Sequence, residues 1–148
     1  MESEASKNRM MNLYLTGKFR LLYQNKPLTD FRSDKVRALL AYLVLAEGRP
    51  FTRTHLSQLL WSEYLPSSAR ASLRTALSNL HQLLAPMDEL LELDGQLVRF
   101  NHQSPQFWCD ALEDATLKAS PLFLLTLQHI SAPNFQAWLA QQRDKPFF

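Results

Sequence analysis

A chain of 148 residues, 46% hydrophobic and 20% charged, suffices for one ordinary domain, or a small domain with an appendage, folding around its own core. One cysteine, Cys109, excludes an internal disulfide framework and a cysteine-built metal site, and it suits a reducing cytosol, so the expected location is cytoplasmic. The net charge of +2 is too small to announce a nucleic-acid binder, and the longest apolar run, Ala38 to Ala46, is too short to span a bilayer.

Residues 1–11 are polar, aperiodic and without a signal-peptide core, and predict a flexible N-terminal arm. From Asn12 the pattern alternates: Leu13, Leu15, Phe19 and Leu21 share one parity, Tyr14, Thr16, Lys18 and Arg20 the other. With turns at Gly17 and at Asn25-Lys26-Pro27, this predicts two or three short antiparallel strands. Ser33 is placed to cap a helix over Asp34 to Glu47, with Val36, Leu39, Leu40, Leu43 and Val44 inward and a stop at Gly48 and Pro50. Thr52 or Thr54 then caps a shorter helix, Arg53 to Trp61, with Leu56, Leu59 and Leu60 as its apolar stripe. Residues 62–66 turn the chain, and Pro66 stands where a helix can begin.

The next stretch, Ser67 to Ala85, reads as one helix with two unlike faces. At ~100° per residue, Ala69, Leu73, Ala76, Leu77, Leu80, Leu83 and Leu84 form an apolar stripe. The opposite face carries Ser67, Ala71, Arg74, Thr75, Ser78 and Gln82, flanked by Arg70, Asn79 and His81. A solvated helix face ordinarily mixes Glu with Lys, yet Asp and Glu are absent from Leu65 through Met87. That face suits an anionic, hydrogen-bonding partner better than plain solvent. The charge distribution agrees: residues 17–82 hold ten Lys/Arg against four Asp/Glu, whereas residues 83–110 hold one Arg against five acids.

After Pro86, short apolar runs flank Asp94-Gly95, a two-residue hairpin signal. Arg99, between Val98 and Phe100, is expected to point outward as a basic tooth. Residues 111–127 are ambiguous between strand and helix and are read as helix folded onto the hairpin side. The predicted fold class is α+β: a winged helix-turn-helix with an N-terminal antiparallel sheet, a three-helix bundle and a C-terminal β-hairpin wing.

The segments LYLTGKFRLL, SDKVRALLAYLVLAEGRPFTRTHLSQLLW, ARASLRTALSNLHQLL and DGQLVRFN, in that order, resemble the winged-helix effector domain of the OmpR/PhoB kind. More closely, they resemble the version at the front of streptomycete antibiotic regulatory proteins and related bacterial transcriptional activators. The resemblance covers about Asn12 to Asn101 and implies a winged-helix domain over residues 12–102. It implies that the third helix enters the major groove of double-stranded DNA, with Arg74, Thr75, Ser78 and Gln82 at base edges. Arg53, Thr54, Arg70, His81 and Arg99 would then hold phosphates. Trp61, Glu63, Tyr64 and Leu65 would lie in the turn that touches RNA polymerase or another partner, and the chain would pair as a homodimer on direct repeats. Residue types fit these roles, since base edges take bidentate donors and phosphates take cations and hydroxyls.

FWCDALEDA and NFQAWLAQQRD resemble the passage into, and the opening of, a helical bacterial transcriptional activator domain, so residues 103–148 are read as a linker and truncated helical segment. A fragment of a longer regulator and a shortened relative both remain open. The sequence departs from the family at LSNLHQ, where relatives commonly carry Arg in place of His81 or Gln82. A receiver that accepts phosphate is not expected to precede the domain.

Other chemistry finds little support. His55, His81, His102 and His129 share no ligand spacing, so no metal or other cofactor is expected. The pairs Asp88-Glu89 and Glu113-Asp114 have no nucleophile or glycine loop beside them, so neither an enzyme nor a small-molecule substrate is expected, and no membrane partner either. The competing function is a winged helix serving as a protein-interaction or dimerisation module, through the 61–66 turn or the C-terminal apolar segments.

Overall fold

Described from residue 9 to residue 144 in a computed structural model, the chain runs β1 (Met11–Tyr14), β2 (Arg20–Tyr23), β3 (Lys26–Pro27), α1 (Asp34–Leu45), β4 (Phe51–Thr52), α2 (Arg53–Trp61), α3 (Pro66–Leu83), β5 (Leu91–Leu93), β6 (Leu97–Phe100), β7 (Phe107–Cys109), α4 (Asp110–Glu113) and α5 (Pro133–Asp144). Short 3-10 turns occupy Ala85–Leu90, Ala115–Ala119 and Leu125–Leu127.

The strands form two sheets, of order β3-β2-β1-β7 and β4-β6-β5. In the first, β1 and β2 are antiparallel with Leu13 opposite Leu21, and the shared parity puts both leucines in the core. The arm expected through residue 11 therefore stops short of Met11, which is fully buried and opposite Tyr23; residues 1–8 lie outside the described residues. The fourth strand comes from beyond the hairpin: β7 runs parallel to β1, Leu13 opposite Cys109. Its position is locked by Asp110, whose carboxylate accepts from the backbone N–H of Leu15 (2.9 Å), Thr16 (3.1 Å) and Ala111 (2.7 Å). Such a buried carboxylate is tolerated because its lone pairs are filled. Burial, with Asp110 alongside, pushes the Cys109 thiol up to about 12, so it packs as a small apolar group.

Helix α1 is the centre of the core. Spacing predicts one inward face, but Ala38, Ala41, Tyr42 and Leu45 are buried as well as Leu39, Leu40 and Leu43. A helix buried on all sides needs partners on all sides, and α5 supplies one of them: the Trp138 ring lies 5.0 Å from that of Tyr42. The helix ends where Glu47 (φ 52°) and Gly48 (φ 89°) turn left-handed, a conformation glycine adopts freely.

The segment after α4 is not the helix expected over residues 111–127. Asp114 caps a single turn through Thr116 N–H, and Leu124 is left-handed (φ 50°). Leu124 donates instead to the Leu15 carbonyl (2.8 Å), and Phe123 forms a bridge with Thr16. Hydrogen bonds offered at the end of β1 outcompete those of a helix, so the segment lies against the first sheet and not on the hairpin side. No helix of the described residues is long and apolar enough to cross a membrane.

Candidate nucleic-acid interface

Helix α3 begins with Pro66 at its first turn, where a missing N–H costs nothing, and its first turn has no acid. The predicted stripe is buried throughout: Ala69, Leu73, Ala76, Leu77, Leu80, Leu83 and, just past the helix, Leu84. Each of its leucines contributes about 1.5–3 kcal/mol by leaving water. Arg70, Ala71, Arg74, Thr75, Ser78, His81 and Gln82 are exposed. Arg70 and Arg74 stand one turn apart, a like-charge pairing that costs a few tenths of a kcal/mol in an isolated helix. Among the described residues neither guanidinium has a hydrogen bond, ion pair or ring contact.

Asn79 departs from its expected place beside this face. It is buried at 4% exposure, and its amide is used in both directions: Oδ1 accepts from Arg32 N–H (2.8 Å) and Nδ2 donates to the Asp30 carbonyl (2.9 Å). The loop before α1 is thereby latched to α3. Arg32 borders a groove of about 330 Å³ with Ala71, Ser72 and Thr75, and another of about 380 Å³ with Asn79 and Gln82. Neither Arg32 nor the latch was legible from spacing, because nothing local tells Asp30 that it meets Asn79. The available signal was an amide at the border of an apolar stripe, a side chain that can satisfy a carbonyl and an N–H together.

Helix α2 crosses α3 ahead of the turn. Thr52 is its cap, accepting from His55 N–H at 3.1 Å, so Thr54 stays exposed inside the first turn. His55 stacks on Phe51, with ring centroids 5.1 Å apart, and its Nε2 lies 2.7 Å from the Tyr42 hydroxyl, which fixes this end of α2 to α1 and β4. Burial, and secondarily Arg49, lowers the pKa of His55. Arg53 is half-buried: its guanidinium donates to the Asp94 carbonyl (2.8 Å) and its backbone N–H to the Gln96 carbonyl (3.2 Å), tying the hairpin tip to α2.

At that tip the Asp94 carboxylate accepts from the N–H groups of Gln96 and Leu97, both at 2.7 Å, and these bonds hold it below the usual carboxylate range. Arg99 points outward between buried Val98 and Phe100, as alternation predicts, but its charge is engaged. Its Nε donates to the Gly48 carbonyl (2.8 Å) and its Nη1 pairs with Glu92 (2.8 Å), the residue opposite it on β5. Alternation sets the direction of the side chain, and the cross-strand neighbour then claims its charge.

The turn between α2 and α3 also divides. Tyr64 and Leu65 are 47% and 75% exposed and Glu63 is exposed, but Trp61, expected with them at the partner surface, is 6% exposed and packs inside. Lys35 lies over the rings of Tyr64 (5.0 Å) and Trp61 (5.6 Å), with its pKa lowered by burial against an opposing pull from Glu63. Among the described residues no group of three His, Cys, Asp or Glu side chains is placed to hold a metal ion.

No family model matches the chain. It is 31% identical over 112 residues to the transcriptional regulatory protein EmbR of Mycobacterium tuberculosis, a match covering 74% of this chain and 29% of EmbR. It is 45% identical over 67 residues to the regulatory protein AfsR of Streptomyces coelicolor, covering 45% of this chain and 7% of AfsR, and 35% identical over 77 residues to AfsR of Streptomyces griseus, covering 52% and 8%. The chain is thus homologous to part of these bacterial regulators, and it spans less than a third of their length. They are named as regulators and not as enzymes. A solved structure of M. tuberculosis EmbR in complex with a low affinity phosphopeptide matches the fold with a TM-score of 0.60 and 22% identity, over 92% of this chain and 40% of that one. That likeness bears on the fold alone.

Proposed function

We propose that the chain is the sequence-specific, double-stranded DNA-binding part of a cytoplasmic bacterial transcription activator. The observation that carries this reading is the exposed face of α3, where two arginines without partners among the described residues stand among hydroxyls, His81 and the Gln82 amide on a stretch free of acids. Its homology to part of the regulators EmbR and AfsR supports it. The fold acts as a winged helix-turn-helix: α2 and the turn set α3 in the major groove, and the β5–β6 hairpin is the wing. At ~1.5 Å per residue, the 18 residues of α3 extend about 27 Å, long enough to follow the groove past several base pairs.

Arg74, Thr75, Ser78 and Gln82 address base edges, and Arg74 has the fork that binds guanine O6 and N7 together. Arg70, His81, Arg53 and Thr54 hold phosphates on either side. Arg99 joins them by exchanging Glu92 for a phosphate, an inexpensive step because the ion pair is exposed. Glu63, Tyr64 and Leu65 form the surface for RNA polymerase or another partner, and two copies bind direct repeats.

Titrating the purified chain against random duplexes at two salt concentrations, with Arg74→Ala in parallel, tests the reading. Enrichment of a repeated half-site that Arg74→Ala loses is the expected result. With about five phosphates neutralised, affinity should fall roughly 10²–10³-fold between ~50 and ~200 mM salt. Weak binding that is equal in both proteins and shows no enrichment would sink it. The exposure of Tyr64 and Leu65 favours a second reading, a protein-interaction module. In that case Arg74→Glu leaves function intact and Tyr64→Ala abolishes it.

A further inference from the structure

The arginines of this chain divide by what already holds them. Arg37 is paired with Asp34, Arg99 with Glu92; Arg53 and Arg143 donate to backbone carbonyls; Arg20 and Arg49 lie over aromatic rings. Among the described residues three guanidiniums have no such contact: Arg70 and Arg74 on α3, and Arg32. Arg32 is not on α3, yet it borders grooves on both sides of the latch, with Thr75 in one and Gln82 in the other. Its nearest acids do not neutralise it: Asp34 is taken by Arg37 (2.9 Å) and His129 (3.0 Å), and no contact joins the Asp30 carboxylate to it.

We infer that Arg32 is a further DNA-backbone contact, gripping a phosphate beside α3, and that Asn79 is the positioning residue that holds it there. The inference rests on α3 being the DNA-reading helix. The backbone of an exposed loop is ordinarily free to drift, and a drifting cation binds a phosphate with little geometric preference. Here a buried amide bonds the loop backbone at the Asp30 carbonyl and the Arg32 N–H, so the point from which the Arg32 side chain springs is held in register with the helix. Whatever seats α3 in a groove also seats Arg32 against the strand bordering that groove. Because phosphates carry no sequence information, Arg32 strengthens binding to every duplex alike and leaves base preference to Arg74.

The test measures Kd against salt for the full chain, Arg32→Ala, Arg32→Lys and Arg74→Ala, each on an enriched duplex and on an unrelated one. Losing one phosphate contact lowers the magnitude of the log–log slope by about 0.9, a loss of roughly eightfold in affinity near ~0.1 M salt. Arg32→Ala should show that loss equally on both duplexes, and Arg32→Lys should restore most of the slope. Asn79→Ala, with its folding checked by circular dichroism, should reproduce the slope loss and add nothing to it in the double variant. An unchanged slope in Arg32→Ala, while Arg74→Ala still loses preference for the enriched duplex, overturns the inference and leaves the DNA-reading function standing. Further slope loss in the double variant overturns the role given to Asn79. A chain that binds neither duplex overturns both the inference and the proposed function.

Discussion

On α3 the guanidiniums of Arg70 and Arg74 have no partner among the described residues, whereas at the hairpin those of Arg53 and Arg99 are already bonded, to the Asp94 carbonyl and to Gly48 and Glu92. Counted from the sequence, the four cations are equivalent. In the fold they differ in what a phosphate or base must displace. The hairpin is tied by those bonds to α2 through Arg53 and to the loop after α1 through Arg99, and its charge is partly spent in obtaining them. The helix keeps its charge whole and is positioned by its apolar stripe instead. A hairpin whose arginines are bonded beside a helix whose arginines are not is a difference that charge counting cannot show.

The comparison breaks most completely if the stripe goes. Leu80 is fully buried, so Leu80→Ala should cost about 2–5 kcal/mol of stability, read from urea midpoints, and take both DNA preference and wing placement with it. Arg74→Ala is milder and more selective. It should cost ~1–3 kcal/mol on the best duplex and little on unrelated ones, with stability unchanged; equal losses on all duplexes would move Arg74 to the backbone class.

Freeing the wing is smaller again and has the opposite sign. Glu92→Gln removes the charge that holds Arg99, so every duplex should bind more tightly, by up to ~1 kcal/mol, with no change in preference. Weaker binding would show that Glu92 orients Arg99 for its contact. The smallest effect is on pH. His55, which anchors the end of α2 that carries Arg53 and Thr54, has its pKa lowered in the fold, first by burial and then by Arg49. The unfolded chain therefore takes up a proton near pH ~6.5 that the folded chain still excludes. Stability from neutral His55 is present above that pH and should decline as the pH falls below it. Urea midpoints measured above and below that pH should differ, and the difference should vanish in His55→Gln.

Local spacing was enough for the buried stripe of α3, the extent of α2, a turn at Asp94 and the shared parity of Leu13 and Leu21. In each, the cause lies within a few residues: a period of 3.6 or 2, a capping hydroxyl, a carboxylate that accepts from the N–H groups two and three residues on. What needed the fold were the pairings between distant residues. Asn79 turns inward because Asp30 and Arg32 present a carbonyl and an N–H there, and Arg99 is bound because Glu92 lies across the strand. Phe107–Cys109 joins the first sheet beside β1 because Asp110 fills the backbone donors at that strand's end. Periodicity tells each side chain which way to face, but whether a facing group is already taken depends on partners that chain distance conceals, and on that depends which arginines remain free to bind.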